Sequence, residues 1–371
     1  MYKILGLSEN IGLSSLCLYG NSAKMTTRKS QRRLLPDLLK GIAVILMVQV
    51  HLTELFATPA FFDSQAGKIS LFLGGPPAAP VFMAMMGYFI AWKGVSSKAL
   101  LVRGIKLIGL GLLLNIGLNF HLLIKFLNGH FSGMDPWTYV FGVDILFLAG
   151  LSMGVIAGIQ KLAAKRLLPW VLALLIAAGV GPFLPFYEGN LSVIHFLQAF
   201  FWGKAYWSFF PLFPWLIYPL AGFVFYHISE IINLSQWRSK TFGIIWLVLL
   251  VGLVLSFSFG FRISIYLPAY YHHKLPFVGW TLGYIACWTI SWYFISISFS
   301  NNWVFRYLQF CGKNVTAFYV IQWLLIGNIA TALYRTQFPI QWFLWFVGIT
   351  ALSSLLVWGY VRLKKSWIRR V

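Results

Sequence analysis

Acidic residues are scarce in this chain: eight Asp and Glu among 371 positions, against 29 Lys and Arg, for a formal net charge of +21. Charge of either sign occupies only 10% of positions, where soluble globular domains carry about 25%. That shortage excludes a soluble globular fold. Cysteine is rare as well. Cys17, Cys287 and Cys311 show neither zinc-ligand spacing nor a disulfide framework, so no metal is expected and the redox compartment is not legible from them. The first 24 residues lack the apolar core and small-residue cleavage site of a signal peptide. Met25, just ahead of the basic stretch Lys29–Arg33, reads as an alternative start.

What fills the chain is apolar. Hydrophobic residues make up 59% of it and the mean hydropathy is +0.77. A bilayer-spanning helix needs roughly 20 mostly apolar residues. The hydropathy pattern predicts an all-α polytopic membrane protein with about ten spans. The expected limits are 38–56, 71–92, 99–121, 139–160, 167–187, 209–227, 241–260, 278–299, 314–333 and 342–362. A pI near 10 raises the question of nucleic acid, but the basic residues sit between apolar runs, as positive-inside topology requires. Nucleic-acid binding is therefore not expected. With the N-terminus in the cytoplasm, the inner loops collect Lys93, Lys98, Arg103, Lys106, Lys161, Lys165, Arg166, Arg238, Lys240, Arg306 and Lys313. The outer loops keep few basic residues, so both termini are expected in the cytoplasm. Three parts follow: a basic cytoplasmic segment 1–36, a membrane domain 37–362 and a basic tail 363–371. The expected location is the cell (inner) membrane.

Ionisable residues inside a membrane are costly and mark function by default. The first span carries Asp37, Lys40, His51 and Glu54. Lys40 and His51 are about three helical turns apart, roughly 20° in azimuth and about 16 Å along the axis. Asp37 and Glu54 flank that line, so all four share a stripe that must face protein or an aqueous cavity. Glu54 lies one turn from His51, where a carboxylate can hydrogen-bond an imidazole and leave its other nitrogen as a general base. The spacing suits a structural histidine equally well.

The stretch from Arg33 through Asp37 and Lys40 to His51 resembles the opening helix of the membrane acyltransferase superfamily. That group includes the acyltransferase-3 proteins and the heparan-α-glucosaminide N-acetyltransferase catalytic domain. Ala79–Gly87, Arg103–Leu114, the Pro-Trp stretch Phe209–Gly222 and Phe310–Gln322 resemble later motifs of the same group, in the expected order. Two positions depart from the pattern. Lys40 stands where arginine is usual, which keeps the charge but loses bidentate phosphate binding. Gln322 stands where a late histidine is common.

The resemblance implies transfer of an acyl group, usually acetyl, from cytoplasmic acetyl-CoA to an extracytoplasmic acceptor, expected to be a carbohydrate or glycolipid. It makes His51 the general base, oriented by Glu54 or Asp144, with Lys40, Arg103 and Lys106 favouring the donor phosphates. The same residues leave a rival open, a proton-coupled secondary transporter relaying protons through His51, Glu54 and Asp144. Against it, the chain shows no internal symmetry of the transporter kind. A non-catalytic flippase or sensor is a third reading. Weaker expectations concern Asn115 and Asn119 as helix bridges, His272 and His273 as solvated loop histidines or acceptor ligands, and Trp202, Trp215 and Tyr218 as an aromatic sugar platform. The topology is checked by cysteine-accessibility labelling: a cysteine at Ser192 is expected to label from outside and one at Ser366 only after permeabilisation.

Overall fold

The computed structural model describes residues 34–130, 135–163, 166–185, 192–234, 237–298 and 302–368. Cys17, Met25, the basic stretch Lys29–Arg33, Lys165 and the end of the tail lie outside these. The described elements are helices, with two isolated bridges linking loops. The principal helices are α1 (Leu34–Leu55), α2 (Gln65–Gly74), α3 (Ala79–Lys93), α4 (Ser97–Leu118), α5 (Phe120–Leu127), α6 (Ile145–Ala163), α7 (Leu168–Gly179), α8 (Ser192–Phe201) and α9 (Ile217–Ile231). They continue with α10 (Ser239–Leu255), α11 (Phe257–Ile265), α12 (Leu267–Tyr271), α13 (Leu275–Ser298), α14 (Trp303–Lys313), α15 (Val315–Leu333) and α16 (Pro339–Ile368).

Local chemistry sets the boundaries. Gly94 closes α3 in the left-handed conformation, with φ 55°, and two residues later the Ser96 hydroxyl accepts from the Ala99 amide to open α4. These are the expected C- and N-terminal signals. Asn302 opens α14 in the same way, accepting from Val304 at 3.0 Å.

Each of the ten expected spans falls on a helix, but they are not equal. Among the described residues, seven helical stretches are long and apolar enough to cross a membrane, or eight if the bent pair α10–α11, with its 66° kink, counts as one. Helix α7 has only 12 residues, short of the roughly 20 a straight crossing needs. Helix α13 has 24 residues, but Trp, Tyr, Ser and Thr run through it and lower its hydropathy. Helix α16 runs on to Ile368, into the stretch expected as a basic tail.

Helix α1 is central. It packs against α2, α3, α13, α14, α15 and α16, and 67% of its apolar window is buried, against 17% for α16 at the periphery. Helices α10 and α16 expose Val248, Leu255, Leu344 and Leu355, the pattern of surfaces that face lipid rather than water. Two glycine contacts bring backbones together. A Cβ on Gly312 of α14 would lie 1.8 Å from the Asp37 carbonyl of α1, and one on Gly222 of α9 would lie 1.9 Å from the Ala84 carbonyl of α3. Small residues at such crossings allow the close packing that holds membrane helices together. On another face of α1, Gln49 donates to the Ser70 carbonyl of α2 at 2.9 Å, and Thr53 shares a hydrogen bond with the Ser70 hydroxyl.

Enlarging Gly222 forces α3 and α9 apart. Gly222→Val is expected to destabilise the protein by about 1–3 kcal/mol, read as a lower midpoint in detergent-denaturation curves. Gly243→Ala, where a Cβ meets nothing, should leave the midpoint unchanged or raise it slightly.

Candidate active site

Met47, Val50, His51 and Glu54 fall on one face of α1, at helical spacings of three and four residues. This face opens onto a cavity of about 690 Å³, whose other walls come from α4, the head of α6, α12, α15 and the segment 206–210. The His51 ring lies against Trp323 of α15, with ring centroids 4.0 Å apart. Its Nδ1 is buried with no hydrogen-bond partner among the described residues. The bond expected from Glu54 to His51 is not made. The imidazole plane is set by packing on an indole instead.

Glu54 turns to a different neighbour. Its carboxylate accepts from the Tyr271 hydroxyl at 3.4 Å. Burial and the adjacent Glu54 hold the Tyr271 phenol well above its usual range, so it stays a donor. Tyr271 is fixed from behind, where the Trp215 indole donates to its carbonyl at 2.8 Å. Beside it His273 is buried, its Nδ1 2.7 Å from the Tyr270 carbonyl and its Nε2 2.8 Å from the Tyr218 hydroxyl. Burial pushes the His273 imidazole down to about 4, against the opposing pull of the Tyr270 carbonyl. Neutral at pH 7, it donates through Nδ1 and accepts from Tyr218 through Nε2. His273 is thus an internal strut and not the solvated histidine expected from its loop.

Asp144 stands at the head of α6. One carboxylate oxygen caps that helix, accepting from the amides of Leu146 at 2.9 Å and Phe147 at 3.2 Å. The other accepts from the Tyr319 hydroxyl at 3.3 Å. The backbone ahead of it is clamped. Asn115 donates to the carbonyls of Val140 and Gly142 at 3.0 and 2.8 Å, and the Val143 amide donates to the Trp207 carbonyl at 2.8 Å. Asn119 donates to the Asn115 and Tyr139 carbonyls. The two asparagines of α4 therefore bridge to the short helix Trp137–Val140, and Asn115 also holds the Gly142 carbonyl just beyond it.

His51, Glu54 and Asp144 come together on this cavity; the three basic candidates do not join them. Lys40 pairs with Asp37 at 3.0 Å and lies 4.3 Å from the Phe89 ring centroid. The stripe along α1 is therefore divided, an ion pair packed at one end and cavity groups at the other. Arg103 and Lys106 are exposed on α4 and absent from the cavity wall. Gln322 is fully buried, and neither side-chain amide atom has a partner among the described residues; it too is absent from the wall. Trp215 and Tyr218 are fully buried, so they make no sugar platform, and Trp202 donates to the Pro185 carbonyl. The aromatic wall comes instead from Tyr206, Trp207, Phe209 and Phe210.

Tyr271, Tyr319 and Trp323 were not anticipated. Tyr319 and Trp323 are one helical turn apart within and just beyond the Phe310–Gln322 stretch, a spacing that could have been read. Tyr271 meets Glu54 across 217 residues, and no local pattern signals that.

Because His273 is buried neutral, its folded value is depressed below the unfolded one. The unfolded chain binds more protons below about pH 6.5, so stability is complete above that pH and is lost as pH falls toward about 4. His273→Gln is expected to flatten the pH dependence of the melting temperature in this window, measured in detergent.

No individual curated protein matches the chain. The acyltransferase-3 family, described as an acyltransferase domain, matches residues 34–362, from the first residue of α1 to well inside α16. With a central helix carrying His51 into a cavity walled by two carboxylates, and a family match over most of its length, the chain belongs to the acyltransferase-3 family of membrane acyltransferases.

Proposed function

We propose that the protein moves an acyl group, acetyl in the simplest case, from cytoplasmic acyl-CoA to a carbohydrate acceptor across the cell (inner) membrane, with His51 as general base. Acyl transfer by a membrane protein follows from the family; the donor, the acceptor, the sidedness and the residue roles are the proposal. One observation carries it: the His51 imidazole lines the same cavity as Glu54 and Asp144. The family match does not favour a proton-coupled transporter.

In this mechanism an acceptor hydroxyl gives its proton to His51 as its oxygen attacks the thioester carbonyl. The carbon–sulfur bond then breaks, and the leaving CoA thiolate takes the proton back from the imidazolium. Atoms and charge balance with no cofactor beyond the donor. Nδ1 is enclosed in the packing, which leaves Nε2 for the acceptor. Trp323 holds the ring plane, and Glu54 and Asp144 accept hydrogen bonds from the other hydroxyls of the acceptor. The donor's phosphates find their counter-charge at the inner face. There Lys40 and Lys93 flank the Phe89 ring at 4.3 and 5.7 Å from its centroid, and Arg103 and Lys106 lie exposed on α4.

Loss of a general base typically costs about 10²–10⁴-fold in rate. His51→Ala is expected to lose acetyl transfer by that factor while keeping its size-exclusion profile and its binding of CoA. Glu54→Gln should lose less. A well-folded His51→Ala protein with wild-type turnover would remove His51 from this role.

A further inference from the structure

We infer that the acceptor cavity selects by charge: it takes an uncharged or amino-bearing sugar and rejects phosphorylated sugars and uronic acids. This inference rests on the acyl-transfer reading above and names the class of acceptor it serves.

The cavity wall contains two carboxylates, Glu54 and Asp144, and neither lysine nor arginine among the described residues. Neither carboxylate is paired with a cation. Glu54 accepts from a phenol. Asp144 accepts from two backbone amides and a second phenol. A carboxylate offers about four acceptor positions on its two oxygens, so both keep capacity for ligand hydroxyls. An ammonium finds hydrogen-bond acceptors in such a pair, whereas an anion would be taken out of water beside two acidic groups with no cation to pair with, and an uncompensated buried charge is costly. Two basic residues near the cavity stay off the wall: Lys204 is exposed, and Arg335, also exposed, lies 5.5 Å from the centroid of the Tyr334 ring. Trp207 and Phe209 add flat apolar faces that suit the C–H face of a sugar ring better than a charged group.

The same arithmetic bears on the donor. CoA phosphates would meet the same penalty, so only its uncharged arm and acyl group reach His51. Charge thereby divides the two substrates: the polyanion stays with the basic inner face and the hydroxyls go to the acidic cavity.

The test uses full-length protein in phosphatidylcholine nanodiscs with acetyl-CoA and four membrane-anchored probes: octyl β-D-glucoside, octyl β-D-glucosaminide, octyl β-D-glucuronide and octyl β-D-glucuronamide. The last two have nearly the same shape and differ in charge. Acetylated glycoside is read by mass spectrometry and released CoA by chromatography. The glucoside, glucosaminide and glucuronamide are expected to be acetylated, with the glucuronide at least ten-fold slower than its amide. Equal rates for glucuronide and glucuronamide would overturn charge selection. CoA release with no acetylated glycoside would overturn the sugar class while leaving the donor reading in place. Absence of CoA release would overturn the donor reading itself, and the inference with it.

Discussion

Everything in this molecule depends on keeping α1 away from lipid. A helix with Asp37, Lys40, His51 and Glu54 along one side is costly against hydrocarbon and tolerable only when protein surrounds it. Six helices do so. The contact at Gly312 brings the α14 backbone onto the Asp37 carbonyl, so the ionisable end of α1 is enclosed at van der Waals range. The Gln49–Thr53–Ser70 hydrogen bonds serve a second face. There the polar groups of neighbouring helices satisfy one another, as a bilayer interior requires. The remaining face is the one that opens on the cavity.

The cavity illustrates how a helical bundle holds a site that no helix could make alone. α1 supplies the histidine and one carboxylate, and α15 supplies the indole and phenol that meet the two central groups. The rest comes from short or irregular backbone: the Val143 bridge to the 207–210 segment and the five-residue helix α12 with Tyr271. Irregular backbone at membrane depth is sustainable only when it is buried in protein or lines a cavity. Here both conditions hold. Asn115 takes up two loop carbonyls, and Trp215 takes up a third.

Much of this was legible from residue order. Composition predicts the membrane fold, hydropathy locates a helix at each expected span, and the stripe on α1 marks the central helix that lines the cavity. Hydropathy miscounts where a stretch is apolar but short, as in α7, or long but rich in Trp, Tyr and Ser, as in α13, since it measures composition and not path through a bilayer. At the site, His51, Glu54 and Asp144 share one cavity, yet their partners were not readable. Spacing one turn along a helix shows that Glu54 can reach His51; it cannot show that Tyr271, far along the chain, competes for the same carboxylate. The aromatic wall eluded prediction for a related reason. In a chain with 17 Trp, adjacency in sequence does not separate the buried braces Trp215 and Tyr218 from the cavity residues Trp207 and Phe209.

The segments 206–210 and 266–273 contribute walls while α1 contributes His51 and Glu54. A side-chain hydrogen bond between the two kinds of part is Tyr271 to Glu54. In the proposed reaction such a layout separates chemistry from choice of acceptor. Substitutions in these segments would reshape what fits without disturbing the histidine or its supporting indole, so descendants of one ancestral protein could diverge in what they modify while inheriting the same reaction unchanged.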